Sequence, residues 1–338
     1  MNDRVDANAK PLGWGILGTA RINRMLIPPL RASRGNRLVA VASRELARGE
    51  AYAREWQIGR VYGSYEALLE DPEIDAVYVP LPNHLHAEWT IKAAQAGKHV
   101  LCEKPLALSV DEVDAMAAAC RAAGVVMAEG FMYRHHPQTL EVKRLLDAGA
   151  IGTLRFLRGS FSFPLARPAD VRLRPEWGGG CLWDVGCYPV SFARFLLGSE
   201  PLRVVASQVL GPTGIDETFA GQAEFPGGVL FQFDCGFRSQ PRAEMELSGT
   251  GGTLRAPHPW RPEQEHPLQL VRDGTLEEIR VPGEDRYLLE IEDLERAVRT
   301  GAPSRVSVAD SRANVAALVA LQRSAREGRP VELGSAGS

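Results

Sequence analysis

At 338 residues the chain exceeds the usual size of one hydrophobic core, so a length of about 100–200 residues per domain predicts two domains. Its content of 45% hydrophobic and 24% charged residues is ordinary for a globular protein. A formal net charge of −3 gives no general attraction to nucleic acid or to an anionic membrane, so small metabolites are the expected partners.

The cysteines and the apolar segments restrict the compartment. There are five cysteines, an odd number without a CxxC pair, which argues against a disulfide framework or a structural zinc site. The segment Met1 to Lys10 is polar, and no later segment has the ~18 consecutive apolar residues of a membrane span. We therefore expect a cytoplasmic protein that requires no metal ion.

Residues 12–130 alternate short apolar runs with amphipathic segments, the pattern of successive βα units in a parallel sheet. The predicted strands are Leu12–Gly18, Leu38–Ser43, Ala76–Pro80, His99–Cys102 and Val125–Ala128. The predicted helices are Arg44–Trp56, Ala87–Ala96 and Ser109–Ala123, the last with a capping box of Ser109 and Glu112. We predict that residues 1–130 form a doubly wound α/β domain of the Rossmann type.

The first predicted strand ends in a glycine turn, Gly18-Thr19-Ala20-Arg21-Ile22-Asn23. A strand that leads through such a turn into a helix brings backbone N–H groups to a pyrophosphate. Measured against GxGxxG the turn is degenerate, because Ala20 and Asn23 replace the second and third glycines. The predicted phosphate contacts are Gly18, Thr19, Ala20, Arg21 and Ile22. The alternative is a tight turn in some other α/β protein.

The end of the second predicted strand bears on the choice of cofactor. About 25 residues after Gly18, where an NAD site presents a carboxylate to the ribose, this chain has Ser43 and Arg44. A hydroxyl followed by a guanidinium suits a 2′-phosphate, because guanidinium donates several hydrogen bonds to phosphate oxygens. We predict NADP as the cofactor, with NAD possible. The alternative is that Arg44 is an ordinary surface residue of the first helical turn.

Two further strand ends lie at the carboxyl edge of the predicted sheet, where ligands bind in open α/β folds. One leads into Pro80-Leu81-Pro82-Asn83-His84-Leu85-His86 and the other into Glu103-Lys104-Pro105. The Lys104 ammonium beside a nicotinamide would orient a substrate oxygen and lower the pKa of a neighbouring acid. The alternatives are that Lys104 is a turn residue and that the histidines are structural. The predicted cofactor contacts here are Pro80, Leu81, Asn83, His84, His86, Glu103 and Lys104.

From Ile151 the pattern changes to longer β-rich runs with Gly/Pro turns. The predicted strands are Thr153–Phe163, Leu202–Leu210, Phe219–Phe225, Val229–Phe237 and Ala243–Gly249. We predict an α+β domain over residues 131–305 with a large, mostly antiparallel open sheet. Such a sheet must cover its apolar face either with helices or with another subunit, and we favour a homodimer or homotetramer that assembles through the sheet. Residues 306–338 are predicted to form a closing helix, Ser307 to Glu327, and a tail.

A second chemically informative stretch runs from Gly178 to Pro189 and contains Asp184 and Tyr188. If a helix begins at Asp184, Tyr188 falls at i+4 on the same face, so the carboxylate and the phenol address one ligand. A phenol with an ordinary pKa of ~10 is a poor base, but a nearby ammonium makes its ionised form accessible. The alternative is that Asp184 is a helix N-cap and Tyr188 an amphipathic wall residue.

The segment Pro164–Trp177 is rich in arginine, with Arg167, Arg172 and Arg174. These side chains are predicted either to bind a phosphate or acid group of the substrate or to belong to a solvated surface loop.

Over nearly its whole length the chain resembles the glucose-fructose oxidoreductase / inositol dehydrogenase / rhizopine-catabolism (Gfo/Idh/MocA) family of NAD(P)-dependent oxidoreductases. The motifs of the resemblance are Gly15 to Ala20, Pro82 to His86, Glu103-Lys104-Pro105, Glu129 to Arg134, and Gly179 to Tyr188. The resemblance implies that Lys104, Asp184 and Tyr188 form the catalytic set. Many members have histidine at the position of Tyr188. With tyrosine there, this chain resembles the branch that contains glucose-fructose oxidoreductase, NADP-dependent xylose dehydrogenases, sugar ketoreductases and dihydrodiol dehydrogenases.

The predicted reaction is hydride transfer between a nicotinamide and a carbinol or carbonyl carbon of a sugar or polyol. In it, Tyr188 would exchange the hydroxyl proton, Lys104 would polarise the substrate oxygen, and Asp184 would orient the substrate. Predicted substrate contacts are Met132, Arg134, Trp177, Asp184 and Tyr188. One alternative is a trans-dihydrodiol dehydrogenase with a pocket lined by Trp177, Trp183 and Phe163. The other is a regulatory protein that binds a nucleotide without catalysis.

Overall fold

The computed structural model describes residues 10–167, 169–262 and 266–334, and they form two compact units. One unit contains the residues up to Met132 together with Asp285–Arg312, and the other contains Tyr133–Glu284 together with the residues from Ala313 onward. The first boundary lies two residues from the one predicted at 130. Residues 285–305, predicted to belong to the sheet domain, lie in the first unit instead.

The first unit is built on a sheet of six parallel strands. The strands are β1 (Leu12–Leu17), β2 (Asn36–Ala42), β3 (Arg60–Tyr62), β4 (Ala76–Val79), β5 (His99–Glu103) and β6 (Met127–Gly130). Their order, β3-β2-β1-β4-β5-β6, is that of a doubly wound dinucleotide-binding sheet, which confirms the predicted fold class. Strands β1 and β4 consist entirely of buried residues, as expected for a sheet that is covered on both faces.

Helices connect these strands as the apolar periodicity predicts. They are α1 (Asn23–Ala32), α2 (Leu46–Trp56), α3 (Tyr65–Leu69), α4 (His86–Gln95) and α5 (Val110–Ala123). The capping box at α5 is present, since Ser109 accepts from the Glu112 N–H while the Glu112 carboxylate accepts from the Ser109 N–H. A helix after the glycine turn was predicted without bounds, and α1, which contains Pro28 and Pro29, occupies that place. The five-residue helix α3 was not predicted.

The second unit is built on a nine-stranded mixed sheet. Its strands are β7 (Leu154–Ser162), β8 (Arg203–Leu210), β9 (Asp216–Phe225), β10 (Val229–Gly236), β11 (Arg242–Gly249), β12 (Gly252–Pro257), β13 (Leu268–Arg272), β14 (Thr275–Ile279) and β15 (Val331–Glu332). The order is β14-β13-β12-β11-β7-β10-β9-β8-β15, and the β7–β10 pair is parallel while the other neighbours are antiparallel. The mostly antiparallel sheet that was predicted is therefore confirmed.

The two faces of this sheet differ in burial. On one face the rings of Phe219, Phe231 and Phe233 are stacked and buried, and Leu321 reaches the space beside Gly221. On the other face Val205 is 43% and Leu230 37% exposed. The alternation of buried and exposed residues along β8 to β10 produces this difference, since successive side chains of a strand point to opposite faces.

Four helices complete the fold: α6 (Pro137–Asp147), α7 (Cys187–Leu197), α8 (Arg286–Thr300) and α9 (Val308–Glu327). Helix α9 closely matches the predicted closing helix. The helix at Asp184 differs from the prediction, because a π-helical turn over Leu182–Gly186 precedes α7 and Asp184 lies inside it. None of the helices in the described ranges has the length and apolar character that a bilayer crossing requires.

Candidate active site

The glycine turn has the geometry that a pyrophosphate requires. Gly18 has φ +99°, and an added Cβ would lie 3.2 Å from the Leu81 side chain and 3.4 Å from the Tyr65 hydroxyl. The Asn23 side-chain amide donates to the Gly18 carbonyl over 3.0 Å, so the residue that replaces the third glycine stabilises the turn. No side chain of the described residues caps the N-terminus of α1, which follows directly. This cradle fits a dinucleotide.

The residues of the turn that are predicted to contact the phosphates differ in exposure. Gly18 is buried, Thr19, Ala20 and Ile22 are partly exposed, and Arg21 is exposed.

The end of β2 leads into Ser43 and Arg44, the two residues predicted to contact the 2′-phosphate. Ser43 is buried and accepts from the Glu45 N–H over 3.3 Å, whereas Arg44 is exposed. Tyr65, which the sequence did not indicate, lies between this turn and Gly18. Burial raises the pKa of the Tyr65 hydroxyl, while the charges of Arg44 and Arg48 and a hydrogen bond with Arg44 act in the opposite direction.

Arg48 was also missed, although its position four residues after Arg44 was a usable signal. Two guanidiniums near one phenol form a positive corner beside the glycine turn.

The loop after β4 contains both buried and partly exposed predicted cofactor contacts. Pro80 and Leu81 are buried, and Asn83 and His84 are partly exposed. His86 is fully buried, and its ring nitrogens lie 2.8 Å from the Pro105 carbonyl and 2.7 Å from the Leu81 carbonyl. The His86 ring, a predicted cofactor contact, thus joins this loop to Pro105, the residue after Lys104.

Lys104 follows β5 in a segment held on both sides. Tyr78 donates to Glu103 Oε1 over 2.6 Å, and the Leu106 N–H donates to Glu129 Oε1 over 2.8 Å. The Lys104–Pro105 peptide bond is cis, and Lys104 itself is partly exposed. Glu103, predicted to contact the cofactor, uses one carboxylate oxygen for Tyr78.

In the second unit, a buried carboxylate anchors the π-helical turn that contains Asp184. Asp216 Oδ2 accepts from the Leu182 N–H over 2.7 Å and from the Cys181 thiol over 3.1 Å. Burial raises the pKa of Asp216, and these two donors act in the opposite direction. Gly180 makes room, since an added Cβ there would lie 2.1 Å from Asp216 Oδ1. We attribute the widened turn to Pro189, which has no N–H to donate to the Val185 carbonyl.

Tyr188 lies in the first turn of α7 with its ring in an aromatic cluster. Its ring centroid is 5.2 Å from Phe161, 5.6 Å from Tyr133 and 5.7 Å from Trp260. Only 5% of Tyr188 is exposed, so packing fixes the direction of its phenol.

The predicted substrate contacts differ in exposure. Trp177 is partly exposed and Met132 is 8% exposed. Arg134 is 4% exposed, its guanidinium lies 4.1 Å from the Phe195 ring centre, and its Nη1 donates to Ser191 over 3.3 Å. Arg134 therefore packs against α7 within the second unit. Asp184 has an ion pair with Arg172, a residue for which the sequence left two roles open.

Within the first unit, the residues that follow β1, β2, β4 and β5 share one edge of the parallel sheet, because parallel strands end on the same side. The structure thus brings together the glycine turn, Arg44, the loop after β4 and Lys104. Asp184 and Tyr188 lie together in the second unit. In the described ranges, no group of three or more His, Cys, Asp or Glu side chains has an arrangement that would hold a metal ion.

Two family models match the chain. Residues 12–131 match the oxidoreductase family with an NAD-binding Rossmann fold, and residues 139–255 match the GFO/IDH/MocA C-terminal domain.

Individual relatives match over nearly the full length. The NADP-dependent D-xylose 1-dehydrogenase 2 of Haloferax volcanii is 40% identical over 325 residues, covering 95% of this chain and 99% of the relative. A trans-1,2-dihydrobenzene-1,2-diol dehydrogenase of Danio rerio is 35% identical and covers 89% and 92%. Among solved structures, KijD10, a 3-ketoreductase from Actinomadura kijaniata in complex with NADP and TDP-benzene, has a TM-score of 0.89 and 32% identity, covering 93% and 98%.

Proposed function

Because the chain belongs to the Gfo/Idh/MocA family of NAD(P)-dependent oxidoreductases, we propose that it transfers a hydride between NADP and a carbinol or carbonyl carbon of a sugar or polyol. The observation that supports this most directly is the shared sheet edge, where the Gly18 turn, Arg44 and Lys104 follow three strands of one parallel sheet. The relatives with NADP, D-xylose dehydrogenase and sugar ketoreductase, support the same assignment.

The side chains have separate roles in this proposal. The bound nicotinamide accepts or supplies the hydride. Tyr188 exchanges the proton of the substrate hydroxyl, and the Lys104 ammonium polarises the substrate oxygen and favours the ionised phenol. Asp184 orients the substrate. The first turn of α1 and the Gly18 turn bind the pyrophosphate, and Arg44 with Arg48 binds the 2′-phosphate.

Kinetics of single and combined variants test these roles. Lys104→Ala and Tyr188→Phe are each expected to lower kcat by about 10²–10⁴-fold, the size of a lost general acid–base or polarising group. Both variants should still bind NADPH, which cofactor fluorescence measures. The double variant should be no slower than the slower single variant, because groups that act on one substrate as a unit are not additive.

Lys92→Ala is the matched control, since Lys92 is a partly exposed lysine of the same unit that pairs with Glu88. Unchanged turnover of Lys104→Ala, or losses that multiply in the double variant, would contradict the shared role. A wild-type protein that binds NADPH but oxidises no sugar or diol would favour the non-catalytic regulatory alternative.

A specific observation also supports the dihydrodiol alternative. The Tyr188 ring packs against the buried rings of Phe161 and Trp260, so the wall behind the phenol is apolar, as a site for a cyclic diol requires. Of the aromatic residues predicted to line such a pocket, Trp183 is 3% exposed and Phe163 packs on Phe237. Rates of NADP reduction with D-xylose, D-glucose and trans-1,2-dihydrobenzene-1,2-diol separate the two functions.

We further infer a homodimer or homotetramer that forms through the exposed face of the nine-stranded sheet. Exposed apolar residues on β8 and β10, Val205 and Leu230 among them, support this face as the contact. We also expect a reducing, cytoplasmic location. None of the five cysteines, all of which lie in the described ranges, is in a disulfide, and the Sγ atoms of Cys181 and Cys235 lie 3.7 Å apart.

A further inference from the structure

We infer that Arg172 is a positioning residue that fixes the Asp184 carboxylate in one orientation for the substrate. The inference rests on the proposed function, because it assigns Asp184 its role there. It also gives the arginine-rich segment 164–177 a function that differs from both roles predicted for it, an anion site and a solvated surface.

The contact is a short ion pair. Arg172 Nε donates to Asp184 Oδ2 over 2.6 Å, and Arg172 Nη1 donates to Asp170 Oδ1 over 3.0 Å. The Asp184 and Asp170 side chains are only 13% and 9% exposed, so water and salt screen this pair less than a pair on the open surface. One guanidinium thus lies between two carboxylates and reduces the repulsion between them.

The backbone that presents Arg172 is fixed to the backbone that presents Asp184. The Gly180 N–H donates to the Arg172 carbonyl over 3.0 Å, and the Asp184 N–H donates to the Gly180 carbonyl over 3.1 Å. The Gly179 N–H donates to the Arg174 carbonyl over 2.9 Å. An added Cβ on Gly179 would lie 2.4 Å from the Arg172 carbonyl oxygen, so this close approach requires glycine. The ion pair therefore closes a short, rigid ring of contacts.

The opposite side of the same turn is also held. Asp216 accepts from the Leu182 N–H, two residues before Asp184, so the backbone of the turn is anchored independently of Arg172. Removing the Arg172 guanidinium consequently removes this ion pair from the Asp184 side chain while Asp216 keeps the turn in place. Because backbone and side chain are held by different residues, a substitution of Arg172 measures the effect of the Asp184 side-chain orientation on the rate.

The ion pair with Arg172 restricts the role that Asp184 can have in the reaction. An ionised carboxylate only accepts hydrogen bonds, so Asp184, paired with a guanidinium, orients a substrate hydroxyl and does not donate a proton to it. A carboxylate that rotates freely loses that orientation, and misplacement of a reacting group by about 1 Å costs up to about 10²-fold in rate.

Steady-state kinetics of Arg172→Ala with the neutral sugars D-xylose and D-glucose test the inference. We expect a rise in the sugar KM and a fall in kcat that together lower kcat/KM by about 10–100-fold, with the KM for NADP unchanged. Arg172→Lys should recover part of the loss, and guanidinium chloride at millimolar concentration should raise the rate of Arg172→Ala but not that of the wild type.

Arg174→Ala is the matched control. Arg174 lies in the same segment, its side chain is 53% exposed, and its ion pair with Glu176 spans 3.8 Å. Thermal melting of each variant checks the fold, since loss of folded protein lowers the active fraction without changing the sugar KM.

Three results would overturn the positioning role. One is an Arg172→Ala enzyme with the kinetics of Arg174→Ala. The second is a loss of activity with an unchanged sugar KM that neither lysine nor guanidinium restores. The third is a defect confined to anionic substrates, which would make Arg172 an anion site. A wild-type protein without turnover on any sugar or diol contradicts the proposed function itself, whereas these three results require an active wild type.

Discussion

Glu290 is an unusual residue of the first unit, because it is a carboxyl group buried without a hydrogen-bond partner. It is 2% exposed, and among the described residues neither of its carboxyl oxygens has a donor. Burial raises the pKa of Glu290 well above its ordinary value, the negative charge of Glu103 adds to this, and Arg286 opposes it. The folded protein therefore favours the protonated form of this side chain more than the unfolded chain does.

This protonation has a defined effect on stability. Below about pH 4 the Glu290 carboxyl is protonated in both the folded and the unfolded chain and has no differential effect. As the pH rises above that value, the unfolded chain releases the proton while the folded chain retains it, so unfolding becomes more favourable. The free energy of unfolding therefore decreases as the pH rises from the pKa of Glu290 in the unfolded chain towards its raised pKa in the folded protein.

We predict that Glu290→Gln raises the melting temperature at pH 7–8 and leaves it unchanged near pH 4, because glutamine has no proton to release. Each unit of pKa difference corresponds to about 1.4 kcal/mol. Calorimetry of the wild type and the variant across this pH range measures the effect. Glu292→Gln, an exposed glutamate of the same helix α8, is the control and should show no such trend. Parallel pH profiles for wild type and Glu290→Gln would contradict the prediction.

We expect the connection between β2 and α2 to set the preference for NADP over NAD. It places Arg44 just before the helix and Arg48 in its first turn, with both charges close to the Tyr65 hydroxyl. Tyr65 in turn borders Gly18 and packs edge-on against Trp89 at 4.7 Å. A rigid aromatic side chain thus links the positive corner to the phosphate turn.

We predict that Arg44→Ala raises the KM for NADP by at least about tenfold, since a hydrogen bond to a charged group contributes about 1.5–3 kcal/mol. The KM for NAD should stay within a factor of about two, so the ratio of the two specificities shifts towards NAD. Arg54→Ala, an exposed arginine in the last turn of α2, is the control. Equal losses with both cofactors would show that Arg44 does not read the 2′-phosphate.

The proposed homodimer or homotetramer requires that the nine-stranded sheet present a continuous contact surface. Nine strands present one face that is covered by helices and aromatic side chains and another on which apolar residues are exposed. A stable interface between copies buries about 800 Å² or more per partner, an area that a large open sheet provides.

We predict that the double substitution Val205→Lys and Leu230→Lys lowers the molar mass in solution to that of one chain. Charged side chains on that face are costly to bury without partners. Size-exclusion chromatography with light scattering measures the mass. Val319→Lys, a partly exposed position on α9, is the control and should leave the mass unchanged. A wild-type protein that is already a single chain, or a double variant of unchanged mass, would refute this interface.

Features that a short stretch of chain encodes were predictable. The βα alternation of the first unit and five of its six strands follow from apolar periodicity, whereas the three-residue strand β3 was not predicted. The Ser109–Glu112 capping box depends on residues three apart. The glycine turn was recognisable because its conformation depends on the residue at Gly18 itself.

Contacts between distant parts of the chain required the folded structure. Tyr65 meets a glycine 47 residues before it, counting from 18 to 65, and Asp216 anchors a turn 34 residues before it. Residues 285–305 return to the first unit, which no local pattern indicates. Arg172 lies in a loop without periodicity, so its pairing with Asp184 depends on how that loop folds back. Local conformation is set by neighbouring residues, whereas the partners of a buried charge are set by the tertiary fold.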